Sequence, residues 1–315
     1  RNAMRIIRDT HFIDPNDRGA AAAIGNFDGV HLGHQAVIDL TRKAAADAGA
    51  PLGIMTFEPH PRSYFSNDFN PFRLMNAEAR AHRLEKLGVE KLYEVPFNDT
   101  LASLSARDFA QTIIADQLGL KHVVVGADFC FGQGRKGNAK TLADMGAEMG
   151  FGVTIAPMMQ VGDADISSTA IRQALSDGRP ADAAKMLGHW HRLENIVIRG
   201  DQRGRDLGYP TANMSIDGLH PPKFGVYAVK IDVRDGPHAG SYNGAASIGV
   251  RPMFGENRPN CETFIFDFKG DLYGTTVSVA LVAYLRPELK FVGLEPLITQ
   301  MDADCVTARE ILANV

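Results

Sequence analysis

Residues 21–49 read AAAIGNFDGVHLGHQAVIDLTRKAAADAG. The stretch opens on small and apolar residues, as a strand buried on both faces does. It continues into apolar residues at helical spacing and ends at Gly49, where a C-terminal cap is expected. The same succession recurs. LGIMTF, LYEVPF, HVVVGADF and GVTIAPM read as further buried strands, while AEARAHRLEKLG, SARDFAQTIIADQLG and KTLADMGAEMG read as helices closed by Gly88, Gly119 and Gly150. Ser105, with Asp108 three residues on, resembles a capping box. Strand and helix in alternation require right-handed crossovers, so Ala20 to about Gly188 predicts a doubly wound α/β fold with a parallel sheet. In such a sheet ligands sit at the carboxyl ends of the strands.

After ADAAKMLGHWHRLE the grammar changes. NIVIRG, GVYAVKIDV, NGAASIGV, CETFIFDF and TTVSVALVAYL alternate with period two, as in Tyr227, Val229, Ile231 and Val233, and are separated by Gly, Pro and Asn. Short strands without intervening helices leave exposed edges unless they close, which predicts a small β barrel. From Leu294 onward, Leu294, Leu297, Ile298, Met301, Cys305, Ala308 and Leu312 form one helical stripe suited to packing on it. The domain boundary is placed at 187/188, giving domains 1–187 and 188–315.

The chain of 315 residues, 45% hydrophobic and 22% charged, belongs to the ordinary globular class, and its length suits two domains. A net charge of −4 without a basic run disfavours nucleic acid as a partner. Cys130, Cys261 and Cys305 are scattered and odd in number, which predicts a reducing compartment, the cytoplasm, and no zinc site. The three residues before Met4 read as a cloning remnant, and no stretch resembles a signal peptide or membrane span. Self-association is left open.

His31 and His34 fall where the first strand gives way to the first helix, the place at which an α/β fold offers backbone N–H groups and a positive helix end to an anion. Lone histidines at a helix start are usually caps or surface groups. Here Gly25, Gly29 and Gly33 allow close backbone approach, and phosphate is the natural ligand. ISSTAIRQAL at 166–175 adds a second anion cradle, with Ser167, Ser168 and Thr169 at a helix start and Arg172 one turn in. In the β half, GDQRGRDLGYPTANM at 200–214 sets Gly200, Gly204 and Gly208 among charges, followed by Thr211 and Asn213. The segment suits phosphate and a hard cation, and equally an ordinary turn. Alternation sets Glu262 on one strand face with Phe264, Phe266 and Phe268, either at a barrel mouth or in chemical use.

GNFDGVHLGH resembles the HxGH signature of nucleotidylyltransferases. With TFEPHPR at 56–62, VVVGADFCFGQGRKGN at 123–138 and ISSTAIR at 166–172, the first half resembles the adenylyltransferase module of bacterial bifunctional riboflavin kinase/FAD synthetases. GRDLGYPTAN, FGVYAV, IGVRPMF, CETFIFDF, DLYG and LRPELKF resemble the riboflavin kinase module, a small barrel with a C-terminal helix. The resemblance implies a Rossmann-like nucleotidylyltransferase domain followed by that barrel. It implies riboflavin, FMN and ATP as substrates, FMN and FAD as products, and Mg²⁺ as cofactor. His31 and His34 would hold the ATP phosphates in the transition state. Gly25, Asn26, Phe27 and Gly33 with Ser168, Thr169 and Arg172 would contact ATP or the departing pyrophosphate. Phe57, Pro59, His60, Arg62, Asp128 and Phe129 would line the flavin side. In the kinase half, Gly204, Arg205, Gly208 and Thr211 would meet ATP, Thr211 and Asn213 would hold Mg²⁺, and Glu262 would act as base toward the ribityl 5′-hydroxyl. There are departures: Met253 stands in RPMF where the family has a hydroxyl, a family glycine ahead of the phosphate loop is replaced within HRLENIVIRG, and FIFDF replaces a His-Leu-Leu. Two alternatives stay open on that account, an FAD synthetase with a weak or inactive kinase barrel and a flavin-binding regulatory protein.

Overall fold

The computed structural model describes residues 3–68, 70–161, 164–200, 208–250 and 258–315. Two compact units emerge, Arg1–Phe69 with Arg80–Ile166, and Asn70–Ala79 with Ser167–Val315. In the first, strands β1 (Arg5–Ile7), β2 (Ala21–Ile24), β3 (Leu52–Glu58), β4 (Lys91–Pro96) and β5 (His122–Gly126) are followed by a short hairpin, β6 (Cys130–Phe131) and β7 (Gly137–Asn138), and then by β8 (Gly152–Ala156). Six of them form a parallel sheet in the order β1-β4-β3-β2-β5-β8. The chain runs outward from β2 through β3 to β4, then returns to place β5 on the other side of β2. The reversal makes the carboxyl ends of β2 and β5 the switch point at which such sheets bind ligands.

The sequence explains this core. β2 is buried throughout, and the small residues Ala20 and Ala22 let Gly53 of β3 lie close beside them. Among the connecting helices, α1 (Leu32–Ala48), α2 (Pro61–Phe65) and α3 (Ala77–Lys86) precede α4 (Asp99–Ala102), α5 (Ala106–Asp108) and α6 (Ala139–Met149). Gly49, Gly88, Gly119 and Gly150 all take the left-handed conformation expected of C-terminal caps. One segment differs from expectation. Ser105 Oγ accepts from Asp108 N as a cap should, but after α5 the chain widens into a π-helix over Phe109–Gln117. Phe109, Ala110, Ile113 and Ile114 are its buried residues, a spacing of four that a wider turn keeps on one side.

The second unit contains α7 (Ser168–Ser176) and α8 (Pro180–Leu187), which bury Ile171, Ala174, Leu175, Ala183 and Leu187 in one cluster with Leu74. After the small hairpin β9 (Gln160–Val161) and β10 (Ala164–Asp165), the remaining strands are β11 (Arg192–Ile196), β12 (Thr211–Ser215), β13 (Gly225–Val233), β14 (Gly240–Val250), β15 (Pro259–Ile265) and β16 (Thr276–Arg286). They pair antiparallel in the order β11-β16-β13-β14-β15-β12, and an antiparallel bridge between Ile198 and Asn213 draws the two ends together into a nearly closed barrel. Tyr227, Val229, Ile231 and Val233 point inward, as their alternation predicts, onto Met214, Ile248, Cys261 and Val279.

The terminal helix α9 (Leu294–Leu312) packs Ala308 and Leu312 against the outer face, near Ala228, Ala245, Phe266 and Val282. Two features of its stripe depart from expectation. Leu294 is exposed, and the stripe buries Asp304, a residue whose charge would suit solvent. Arg286 explains the exception by donating to both Asp304 oxygens at 2.8–3.0 Å, so the buried carboxylate is paired.

His191, beside the single Trp190, is buried at the start of the barrel, and desolvation, with His189 and His220 nearby, pushes its pKa down to about 3. A histidine depressed on folding stabilises the fold above its unfolded pKa of 6.5, and that stability is lost as pH falls from 6.5 toward 3. At pH 5 the loss amounts to about 2 kcal/mol. Urea unfolding followed by Trp190 fluorescence should therefore show a larger drop between pH 7.5 and 5 in the native chain than in His191→Gln. Equal drops would contradict the assignment.

Candidate active sites

The first site grows from the turn after β2. Gly25 N donates to Met55 O at 3.1 Å, which ends the strand beside β3. Phe27 (φ 52°), Gly29 (φ 87°) and Val30 (φ 45°) then all occupy the left-handed region, an unfavourable state for a β-branched valine and a mark of a backbone held for a purpose. The turn delivers His31 to the N-cap of α1. His34 N donates to His31 Nδ1 and His31 N donates to His34 Nδ1, each at 3.2 Å, a capping box built from two imidazoles. The rings stack with centroids 3.6 Å apart and an interplanar angle of 13°.

This geometry has chemical content. Each Nδ1 accepts a backbone hydrogen, so in the neutral ring the proton resides on Nε2, leaving a donor on each imidazole. Burial, with His31 stacked against it, pushes the His34 pKa well below its usual value, so His34 stays neutral at pH 7. Two Nε2–H donors at a helix N-terminus suit an anion that gains charge during reaction. Gly33 is required here, because a Cβ would stand 2.9 Å from His31 Cε1 and 3.0 Å from its Nδ1.

Two further segments follow the carboxyl ends of β5 and β3, the strands that flank β2. After β5, Phe129 N donates to Gly126 O, leaving Asp128 exposed and Phe129 stacked on Phe131 at 5.4 Å. After β3, His60 Nδ1 accepts from Arg62 N at the start of α2, with Pro59 and Arg62 exposed. Phe57 lies in the hydrophobic core, packed on Phe97 and Phe109. Ser168, Thr169 and Arg172 belong to the second unit. Ser167 caps α7 by accepting from Ala170 N at 3.1 Å, and Arg172 Nε donates to Phe72 O at 2.6 Å.

Sequence reasoning missed Arg80. Its guanidinium is fully buried and donates to Asn26 O at 3.1 Å and Glu58 Oε1 at 2.6 Å, with Glu94 3.7 Å away. Thr56 Oγ1 is a second donor to Asn26 O, at 3.2 Å. An arginine on a charged helix reads as a solvated residue, and no periodicity marks it out.

The second site lies on the outer face of the barrel. Thr211 and Asn213 are two apart on β12, so they share a face, and Asn213 lies directly opposite Glu262 on β15. Thr211 Oγ1 donates to Glu262 Oε1 at 2.8 Å, and Ser247 of β14 flanks Glu262 on its other side. Oxygen donors from Thr211, Asn213 and Glu262 on one face fit a hard divalent cation. Gly200 has a packing reason: a Cβ there would overlap the Asn213 amide at 2.0 Å. Gly208 is exposed and left-handed, whereas Gly204, Arg205 and Met253 lie outside the described residues.

The aromatic face predicted around Glu262 extends only in part. Phe264 and Phe266 pack with the outer cluster, but β15 ends at Ile265 and Asp267 turns through φ 55°, sending Phe268 to the barrel interior side with Tyr242.

Comparison with known proteins matches both halves of the chain. A family model described as FAD synthetase matches residues 13–170, and one described as riboflavin kinase matches residues 187–312. A bifunctional riboflavin kinase/FMN adenylyltransferase of Pseudomonas fluorescens is 39% identical, covering 98% of each chain. Proteins of the same name from Bacillus subtilis and Escherichia coli are 37% and 36% identical, covering 99% and 98% of this chain and 98% and 97% of theirs. A solved structure named as a macrolide-efflux protein of Streptococcus pneumoniae is 33% identical, with TM-score 0.82, covering 98% of this chain and 99% of that one. Among the described residues no helix is long and apolar enough to cross a membrane. Two module matches in sequence, and relatives alike from end to end, leave one assignment: the chain belongs to the family of bifunctional riboflavin kinase/FMN adenylyltransferases.

Proposed function

We propose that the two activities of this bifunctional enzyme are divided at 187/188, with FMN adenylylation on residues 1–187 and riboflavin phosphorylation on residues 188–315. Riboflavin plus ATP gives FMN and ADP, and FMN plus ATP gives FAD and pyrophosphate. The observation that carries the first assignment is the stacked pair, His31 and His34, at the switch point of the sheet. An FMN phosphate oxygen attacks the α-phosphorus of ATP, the bond to the bridging oxygen breaks, and pyrophosphate leaves. The Nε2–H donors of His31 and His34 stabilise the negative charge that builds on the phosphate oxygens, so no covalent enzyme intermediate is needed. Gly25, Asn26, Phe27, Gly33, Ser168, Thr169 and Arg172 serve ATP. Pro59, His60, Arg62, Asp128 and Phe129 serve the flavin, with Phe57 supporting them from the core.

In the barrel, Glu262 takes the proton of the ribityl 5′-hydroxyl as its oxygen attacks the γ-phosphorus and ADP departs. Thr211 orients the carboxylate through its 2.8 Å hydrogen bond. Mg²⁺, held by Thr211 and Asn213, would neutralise ATP phosphate charge. The three free cysteines support a reducing, cytoplasmic setting. None of the comparisons supports an FAD synthetase lacking kinase activity or a flavin-binding regulator.

The test is a chromatographic time course with riboflavin, ATP and Mg²⁺ beside an FMN-fed control. Riboflavin passing through FMN to FAD is the expected result, and FAD from the control alone would remove the kinase assignment. Gly33→Ala should displace the His31 ring and lower FAD formation at least about 10-fold while sparing FMN formation, measured in the same assay.

A further inference from the structure

The geometry points to Arg80 as a positioning residue that ties the phosphate loop to the flavin segment, so that one buried cation sets both substrate sites of adenylyl transfer. The inference rests on the proposed roles of those segments. Its physical basis is the unusual placement of the charge. A fully buried guanidinium is costly to desolvate, and a site needing only to be filled would be served better by an aliphatic side chain. Arg80 instead spends its two terminal nitrogens in different directions, Nη1 on the carbonyl of Asn26 and Nη2 on Glu58. Asn26 is the last residue before the left-handed run of Phe27, Gly29 and Val30, and such a backbone persists only where its ends are held. Glu58 directly precedes Pro59 and His60. A second carboxylate nearby, Glu94 at 3.7 Å, also faces Arg8 at 3.2 Å.

The arms of this fork can be cut separately. Thr56 Oγ1 donates to the Asn26 carbonyl, on the phosphate-loop arm, and Glu58 accepts from Arg80 on the flavin arm. Steady-state FMN adenylylation should show Thr56→Val raising KM for ATP and Glu58→Gln raising KM for FMN, each by about 5-fold. Arg80→Met should raise both by about 10-fold or more, and Arg80→Lys, which retains the cation but not the two-armed fork, should recover only part of the loss. Riboflavin phosphorylation by the same chains is the internal control and should stay within about two-fold. Unchanged KM values in Arg80→Met would overturn the proposal. If Arg80→Met loses both activities through unfolding, the two single-arm variants decide, and identical shifts of both KM values in each would overturn it as well. His31→Ala in the same assay keeps the outcomes apart: should it retain FAD formation, the underlying site reading fails, whereas its loss beside a normal Arg80→Met removes only the role of Arg80.

Discussion

Replacing His31 by Ala should lower FAD formation from FMN by ~10² to 10³ while riboflavin phosphorylation proceeds unchanged. The magnitude is that of removing one preorganised donor from developing charge. His31 is also the N-cap of α1, however, and losing a cap costs about 1 kcal/mol, so lower turnover in His31→Ala has two physical sources. His31→Asn separates them. Asparagine is a good N-cap whose side-chain oxygen can accept the N–H of His34, but it lacks the imidazole donor. Thermal stability should recover in His31→Asn and FAD formation should not. Recovery of turnover with the cap alone would mean that the histidine serves the helix and not the phosphate.

The second large effect belongs to the barrel. Glu262→Gln should reduce FMN formation from riboflavin by ~10² to 10⁴, the range for a lost general base, and leave FAD formation from supplied FMN intact. Glutamine preserves the volume and the carbonyl oxygen that Thr211 Oγ1 bonds, so the local packing survives and the proton acceptor does not. Both products are read from one chromatogram under riboflavin-fed and FMN-fed conditions. Equal loss of the two activities in this variant would sink the division of labour between the domains.

Much of this arrangement was legible in the chain because it rests on periodicity and punctuation. Uninterrupted apolar strands, four helix-ending glycines and the period-two run from Tyr227 to Val233 specify a parallel sheet followed by a barrel, and these local signals survive folding with little change. The histidine pair was legible because glycines and a strand-to-helix junction surround it. β1 was missed because three residues, two of them exposed, carry no pattern. Asp304 and Arg80 were missed for a common reason: a buried charge is decided by a partner distant in sequence, Arg286 for one and Glu58 for the other. The π-helical turn after Ser105 escaped because an apolar helix of nine residues reads alike in either winding.

The pairing of β12 with β15 carries a consequence for how this enzyme fails. Thr211 and Asn213 share the outer face with Glu262 while the alternate residues Ala212 and Met214 face the barrel interior, and a slip of one residue between the strands would exchange the two sets. Such a chain would bury its threonine and asparagine, expose its methionine and lose Glu262 its partner in a single event. On the proposed assignment, pairing in the wrong register would thus remove Thr211, Asn213 and the partner of Glu262 together, a dependence written into the alternation of one five-residue strand.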